Sequence, residues 1–319
     1  MKALLNDYIV KYLVILKFAS FKRLESFVPI KLHDKNSILK NYYLDLILLK
    51  EIGKLNDRIV VRRGHIYVKY NKLGIRYNPL TEAHYALIFY QMSKYDLFLK
   101  MVDNLIERGT FLRVNGKEVA LWYYPFPFPP RAYRPQWVSG MAQGVIASLF
   151  ARAFYLTGND YYRKMCVKTI EGMLLPIEQG GALHRDEHGC LWIEEYPEEK
   201  PLSHVLNGFI YAILGLYDAY IITSDERYLK FFLYFIKTLK RHLRDYDAFF
   251  WSKYDVFYIA SLSYHFLNTT LIYILFKLTK DETLKYYVLR WLKGFKLIIP
   301  LVLVICYFTF TPLIVRKKK

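Results

Sequence analysis

The chain has 319 residues, with a hydrophobic fraction of 54% and an aromatic fraction of 18% that includes 30 Tyr and 22 Phe. That is material for one large domain or two small ones with a sizeable core, and it excludes a disordered protein. The formal net charge of +18 suits a polyanionic substrate or anionic lipid headgroups. The Lys and Arg residues are spread along the chain and form no basic stripe interleaved with stacking aromatics, so nucleic acid is not expected as a partner.

In chain order, residues 1 to about 30 read as an amphipathic helical segment ending near Pro29, and Tyr42 to Leu55 as a second helix. Between Arg58 and Tyr77 the run IVVRRGHIYVKY is β-branched and aromatic around a Gly, which predicts a small hairpin. Asn78 and Pro79 then mark a turn that opens a long helical region.

From that turn the chain repeats coarsely. Apolar helical stretches end in short polar turns around Ser93, Thr157, Thr223 and Thr279, spaced by 64, 66 and 56 residues, and each turn offers an Asp or Thr able to cap the next helix. Each unit holds two helices and their loops. The predicted fold is mainly α: an incomplete α/α toroid of helical hairpins with small β-hairpin insertions, preferred over an α-solenoid because the chain is compact in length. Three insertions are long and aromatic: Trp122 to Trp137 with five prolines, Gly180 to Pro197 with a hairpin around Glu187 to Gly189, and Arg244 to His265. Such loops, gathered on one face, build a cleft for sugar rings; the alternative is that their aromatics fill loop cores.

The stretch EEYPEEKPLSHVLNGFIYAILGLYD, from Glu194 to Asp218, carries the densest chemistry. A residue before proline avoids α conformation, so Glu194, Glu195 and Tyr196 fall on a loop. The apolar residues Val205, Leu206, Phe209, Ile210, Ile213, Leu214 and Tyr217 recur at helical spacing and predict a largely buried helix behind it. An acidic loop held against such a helix is a place for acid/base work.

Three cysteines, Cys166, Cys190 and Cys306, form no CxxC pair, and the eight histidines form no HExxH or ligand-spaced cluster. Neither a disulfide framework nor a metal is expected. The uncharged residues Leu297 to Val315, flanked by Lys293 and Lys296 and by Arg316 to Lys319, are long enough to cross a bilayer, giving a single C-terminal anchor with a basic tail. A buried last helix interrupted by Pro300 and Pro312 is the alternative. The tail favours a cytoplasmic C-terminus, whereas the N-terminus is a poor export signal, so the side of the membrane stays open.

Seven segments, in order, resemble the C-terminal domain of the D-glucuronyl C5-epimerase family: YNPLTEAHYAL from Tyr77, WVSGMAQG from Trp137, RAFYLTG from Arg152, WIEEYP from Trp192, HVLNGFIYAILGLYD from His204, SKYDV from Ser252 and SYH from Ser263. The resemblance, with the uncharged run near the end, divides the chain into a cap over 1–76, a toroid catalytic domain over 77–295 and an anchor over 296–319. It implies an enzyme that inverts C5 of D-glucuronic acid within an anionic glycan, or a lipid-linked one, without a redox cofactor. Its catalytic residues match Glu195, Tyr196, Tyr254 and Tyr264. Inversion next to a carboxylate needs proton-transfer groups on opposite ring faces, so Glu195 is expected as one base and Tyr264 as the opposing acid, with Tyr196 and Tyr254 orienting or relaying. Trp137, Gln143, Asn207 and His265 are the expected substrate contacts, and a second copy of the chain is a candidate partner.

Two positions depart from the family. Asn268 stands where a second histidine is common, and Phe257 where animal members carry arginine. An enolate-like intermediate calls for a stabilising cation, and Arg134, Arg185 and Lys253 are the candidates. A lyase or hydrolase acting on uronic-acid glycans, and a non-catalytic glycan-binding protein, are the competing readings.

Overall fold

The computed structural model describes residue 15 and residues 20–29, 35–53 and 58–297. Most of the helix expected over residues 1 to about 30, and all but the start of the membrane span over 296–319, lie outside the described residues.

Three short helices open the chain: α1 (Phe21–Phe27), α2 (Lys35–Ile38) and α3 (Leu46–Gly53). The helix anticipated from Tyr42 begins at Leu46, because Tyr42, Tyr43 and Leu44 are buried outright in irregular backbone and Asp45 supplies the cap, accepting from Leu48 N–H at 2.9 Å. The expected hairpin is a three-stranded antiparallel meander of β1 (Ile59–Arg62), β2 (His65–Tyr70) and β3 (Gly74–Tyr77).

Helix α4 (Pro79–Gln91) starts where the turn residues demand. Pro79 occupies the first turn, where its missing N–H costs nothing, and Asn78 Oδ1 accepts from Thr81 N–H at 2.9 Å. It pairs with α5 (Tyr95–Glu107). A hairpin of β4 (Thr110–Val114) and β5 (Lys117–Leu121) follows, then the short pair β6 (Tyr123–Tyr124) and β7 (Trp137–Val138), which brackets the proline-rich loop. Two more helical hairpins come next: α6 (Gly140–Thr157) with α7 (Asp160–Met173), and α8 (Leu206–Thr223) with α9 (Glu226–His242). The strands β8 (Leu183–Arg185) and β9 (Leu191–Ile193) lie between them, as the sequence indicated around Glu187 to Gly189. After β10 (Asp247–Ala248) and β11 (Trp251–Ser252), helix α10 (Leu262–Thr279) meets a last helix, α11 over 282–297, through Phe266 and Phe295.

The helical repeat is written in its turns. Ser93, Gly158, Ser224 and Lys280 all take positive φ, at 56°, 67°, 55° and 60°. In the last three turns, Thr157, Thr223 and Thr279 donate back to the carbonyls of Ala153, Ala219 and Leu275 at 2.7, 2.7 and 2.8 Å. Their hydroxyls accept from the backbone of Asn159, Asp225 and Asp281, and these three residues cap the returning helices. The sequence T-x-[ND] thus ends one helix and starts the next.

The first helices of the hairpins stand side by side, α4 on α6, α6 on α8 and α8 on α10. Helix α6 is buried continuously from Gly140 to Ala153 and α8 from Leu206 to Leu216, whereas α9 buries one stripe of Tyr228, Phe232, Phe235, Ile236 and Leu239. Helices α6 and α8 approach so closely that a Cβ on Gly215 would lie 2.1 Å from the Gly144 carbonyl oxygen. Helix α8 is the one described helix apolar and long enough to cross a membrane, and it serves as the core of the bundle.

Candidate active site

One cavity of about 470 Å³ opens over the beginnings of four helices. Asn78, Thr81 and His84 come from the start of α4, Ser139 and Met141 from that of α6, Asn207 and Tyr211 from that of α8, and Ser261, Ser263 and Tyr264 from that of α10. The positive dipole ends of all four helices therefore border one space.

Its remaining wall is aromatic. Trp137 stacks on Tyr124 with centroids 4.0 Å apart and 11° between planes, and its Nε1 donates to the Phe126 carbonyl at 2.9 Å. Tyr196 lies parallel to Phe128 at 6.2 Å and near Trp137 at 5.5 Å. The proline-rich loop and the acidic loop thus pack their rings against one another along this wall.

Glu195 is the single acidic residue that lines the cavity among the described residues. It is 7% exposed, and its Oε2 is buried without a hydrogen-bond partner. Burial raises its carboxyl from 4.5 to about 7, against the smaller opposing pulls of the Tyr196 phenol and Arg131. Glycine at 208 makes the room: a Cβ there would stand 2.4 Å from Glu195 Oε2. Gly140 does the same for the adjoining strand, since its Cβ would meet Ile193 at 2.4 Å and the Glu194 carbonyl at 2.6 Å. Gly208 of LNGF and Gly140 of WVSGMAQG are thus packing requirements of the acidic loop.

Tyr264 sits in the first turn of α10, whose cap Ser261 accepts from the Tyr264 N–H at 3.5 Å. Its ring is 42% exposed, and desolvation followed by the charge of Glu195 pushes its phenol up to about 12. Tyr254 stands edge-on to Tyr264 at 4.7 Å and 71°. The Tyr254 carbonyl accepts from Leu206 N–H at 3.0 Å and so caps α8, which has no side-chain cap. Burial raises the phenols of Tyr196 and Tyr254 as well.

The structure brings Glu195, Tyr196, Tyr264, Trp137 and Asn207 to the cavity wall, with Tyr254 directly behind Tyr264. Asn207 Nδ2 is buried and unpartnered there. Gln143 and His265 do not line it. The amide of Gln143 is spent on backbone, accepting from Trp122 N–H at 3.0 Å and donating to the carbonyls of Ala120 and Thr169. His265 accepts from Ser252 N–H at Nδ1, 2.9 Å, and faces the Trp291 carbonyl through Nε2 at 3.2 Å. That fixes the Nε2–H tautomer, and burial lowers the imidazole to about 3.

The anticipated cations are elsewhere. Arg134 and Arg185 are exposed, the latter donating to the Gly189 carbonyl at 3.1 Å, and Lys253 reaches the Val256 carbonyl at 3.4 Å. Among the described residues, no Lys or Arg lines the cavity. The nearby cation is Arg131, missed in the sequence because Arg134 shares its loop. It pairs with Glu199 at 2.7 Å and Asp255 at 2.6 Å, and its guanidinium lies over the rings of Tyr196, Tyr254 and Tyr258 at 5.5, 5.8 and 5.6 Å. His84 was also missed. It lines the cavity, burial lowers it to about 4, and its Nε2 has no partner.

Neither departure lines the cavity. Asn268 ties α10 to β11, with Nδ2 donating to Ser252 Oγ at 3.2 Å and to the Lys253 carbonyl at 3.0 Å, outside the cavity. Phe257 is 51% exposed.

The helix ends of this helical-hairpin protein thus surround one desolvated carboxylate, several phenols and stacked rings. Residues 115–293 match the family described as D-glucuronyl C5-epimerase C-terminus, and the chain belongs to that family. It is 29% identical over 208 residues to an uncharacterized protein of Methanocaldococcus jannaschii, covering 59% of this chain and 67% of that one. It is also 29% identical over 178 residues to a D-glucuronyl C5-epimerase of Caenorhabditis elegans, covering 50% of this chain and 29% of the nematode protein.

Proposed function

We propose that the chain is a polysaccharide uronate epimerase that inverts C5 of D-glucuronic acid residues in an anionic glycan. The observation that carries this reading is Glu195: a buried carboxylate with Oε2 unpartnered, raised to about 7, in one cavity with Tyr264. A base of that pKa is matched to neutral pH. Ionised Glu195 takes the C5 proton, and the electron pair moves into the substrate carboxylate as an enolate. The Tyr264 hydroxyl returns a proton to the opposite face, leaving Glu195 protonated and Tyr264 as phenolate, and a proton exchange resets the pair. The helix N-terminus under Tyr264 favours the transient phenolate. Tyr254 and Tyr196, held under Arg131, orient the acid/base pair.

The enolate needs positive potential, and four converging helix N-termini provide it where, among the described residues, no Lys or Arg lines the wall. The Asn207 amide and His84 Nε2 are the groups placed to meet the substrate carboxylate. A hydrolase would want a second carboxylate in the cavity. Glu194 is engaged with His204 Nδ1 at 2.5 Å and Asp255 with Arg131, so the cavity favours C5 proton abstraction.

Within the same reading, residues 77–295 form the catalytic unit, built as an incomplete α/α toroid, and 296–319 anchor it to a membrane. The glycan is a free polymer or a lipid-linked one, and two copies can associate.

The test is proton exchange. Purified protein is incubated in heavy water with glucuronate-containing polymers, and C5 is followed by NMR. Deuterium at C5 of intact chains, with iduronate signals, supports the reading. Unsaturated ends establish a lyase and shorter saturated chains a hydrolase. Binding without exchange establishes a glycan-binding protein.

A further inference from the structure

We propose that Asp186, Cys190 and His242 form a divalent-metal site, suited to zinc, that clamps the β8–β9 hairpin to the end of α9. One ligand atom from each of the three lies within 4.8 Å of the others. Carboxylate oxygen, thiolate sulfur and imidazole nitrogen together are a donor set that zinc takes in tetrahedral geometry. Zinc ligands roughly 2.0–2.3 Å from the ion stand about 3.3–3.8 Å apart, so closing on an ion draws these atoms together by little more than ~1 Å.

Each ligand is oriented by other contacts. Asp186 Oδ1 accepts from the backbone N–H of His188 and Cys190, at 2.9 and 2.8 Å, and Oδ2 accepts from Trp192 Nε1 at 2.9 Å. One lone pair of Oδ2 is left over. His242 Nδ1 bonds Asp245 Oδ2 at 2.9 Å. That places the ring proton on Nδ1 and the free lone pair on Nε2, which is buried and has no partner. A carboxylate behind an imidazole with its other nitrogen free is the arrangement of metal-bound histidine. Cys190 is buried, and Arg241 donates to its sulfur at 3.5 Å, a hydrogen bond that a metal-bound thiolate retains. On binding, the Cys190 sulfur exchanges its proton for the metal, and the proton goes to solvent.

The site's place in the fold gives it a use. Strand β9 runs directly into Glu194, Glu195 and Tyr196, and Trp192 joins the two regions: its ring lies 5.0 Å from His242 and stacks at 4.3 Å on His204, the partner of Glu194. A metal at the hairpin would fix the acidic loop from behind. The sequence concealed the site because Asp186 and His242 are far apart along the chain and only the fold joins them.

The inference does not rest on the epimerase reading, and its test reads the metal itself. The full, tag-free chain is stripped with chelator and titrated with Co²⁺. The expected result is one equivalent bound, with a thiolate-to-cobalt charge-transfer band and visible bands of tetrahedral intensity, all displaced by Zn²⁺. Cys190→Ser should remove the charge-transfer band while circular dichroism stays that of the parent. Asp245→Asn, which leaves all three ligands in place, should weaken affinity about 10–100-fold. Absence of stoichiometric cobalt, or a charge-transfer band that survives Cys190→Ser, overturns the proposal. If Cys190→Ser does not fold, unchanged affinity in Asp245→Asn overturns it.

Discussion

The two ends of the α6/α8 pair treat a buried carboxylate in opposite ways. Toward the C-terminal ends, Asp218 is fully buried but complete: Arg152 Nη1 reaches Oδ2 at 2.7 Å, and Tyr43 Oη donates to Oδ1 at 2.7 Å. Arg152 in turn bonds the carbonyls of Asn41 and Ser148 at 2.8 Å each, so the N-terminal segment is tied to both helices. At the N-terminal ends, Glu195 is buried with Oε2 unpartnered and faces a cavity. The first arrangement holds structure together. The second leaves a desolvated carboxylate with one oxygen unpartnered beside a cavity, the state the proposed base needs.

If that contrast is right, neutralising each carboxylate breaks a different property. Glu195→Gln should lower C5 exchange by about 10²–10⁴-fold, the scale of a lost general base, with the fold intact by circular dichroism. Wild-type exchange in this variant would remove Glu195 from the chemistry. Asp218→Asn leaves Arg152 charged and buried without its counter-ion, so unfolding free energy should fall by about 3–5 kcal/mol. Turnover per folded molecule should be kept. Measuring both variants by denaturant titration and by exchange separates the two ends.

One side of this contrast, the acidic loop with Glu195, was legible in the sequence; the Arg152–Asp218 pair was not. The helical hairpins, the loop position of Glu195 and the order of the aromatic insertions follow from local patterns: T-x-[ND] turns, prolines, and apolar spacing. The β4–β5 hairpin was missed although Asn115 and Gly116 carry its turn, both with positive φ, at 50° and 78°, a recognised hairpin signal. Side-chain roles were less legible. Gln143 and His265 sit in the matched motifs, yet they serve backbone groups, and Arg131 differs from Arg134 only in which residues the loop brings to it. Local sequence cannot separate a polar group that meets substrate from one that satisfies buried backbone, because both are buried and polar.

A smaller change sharpens the comparison without touching either carboxylate. Gly208→Ala places a methyl 2.4 Å from Glu195 Oε2 and 2.9 Å from its Cβ, so the acidic loop must shift. A displacement of about 1 Å at a reacting group costs on the order of 10²-fold in rate. Exchange should fall by that order while the Arg152–Asp218 end is untouched, and a variant with parent-level exchange would show that Glu195 tolerates displacement.

The mildest test uses pH alone. Below about 7, Glu195 is protonated in the fold, so kcat/KM for C5 exchange should rise tenfold per pH unit up to that point and then level, since Tyr264 ionises only near 12. Stability should run the other way. The folded carboxyl titrates at about 7 against 4.5 for an exposed one, so between these values the folded state binds the extra proton. Its contribution is fully present below 4.5 and is lost as pH rises through 7, a fall of about 3 kcal/mol by linkage, most of it between pH 5 and pH 8. Glu195→Gln has no proton to lose, so its unfolding free energy should gain on the wild type from pH 5 to pH 8 by roughly that amount. Equal pH slopes in the two proteins would mean that Glu195 is ionised at little cost, and the strained base would have to be sought elsewhere in the cavity.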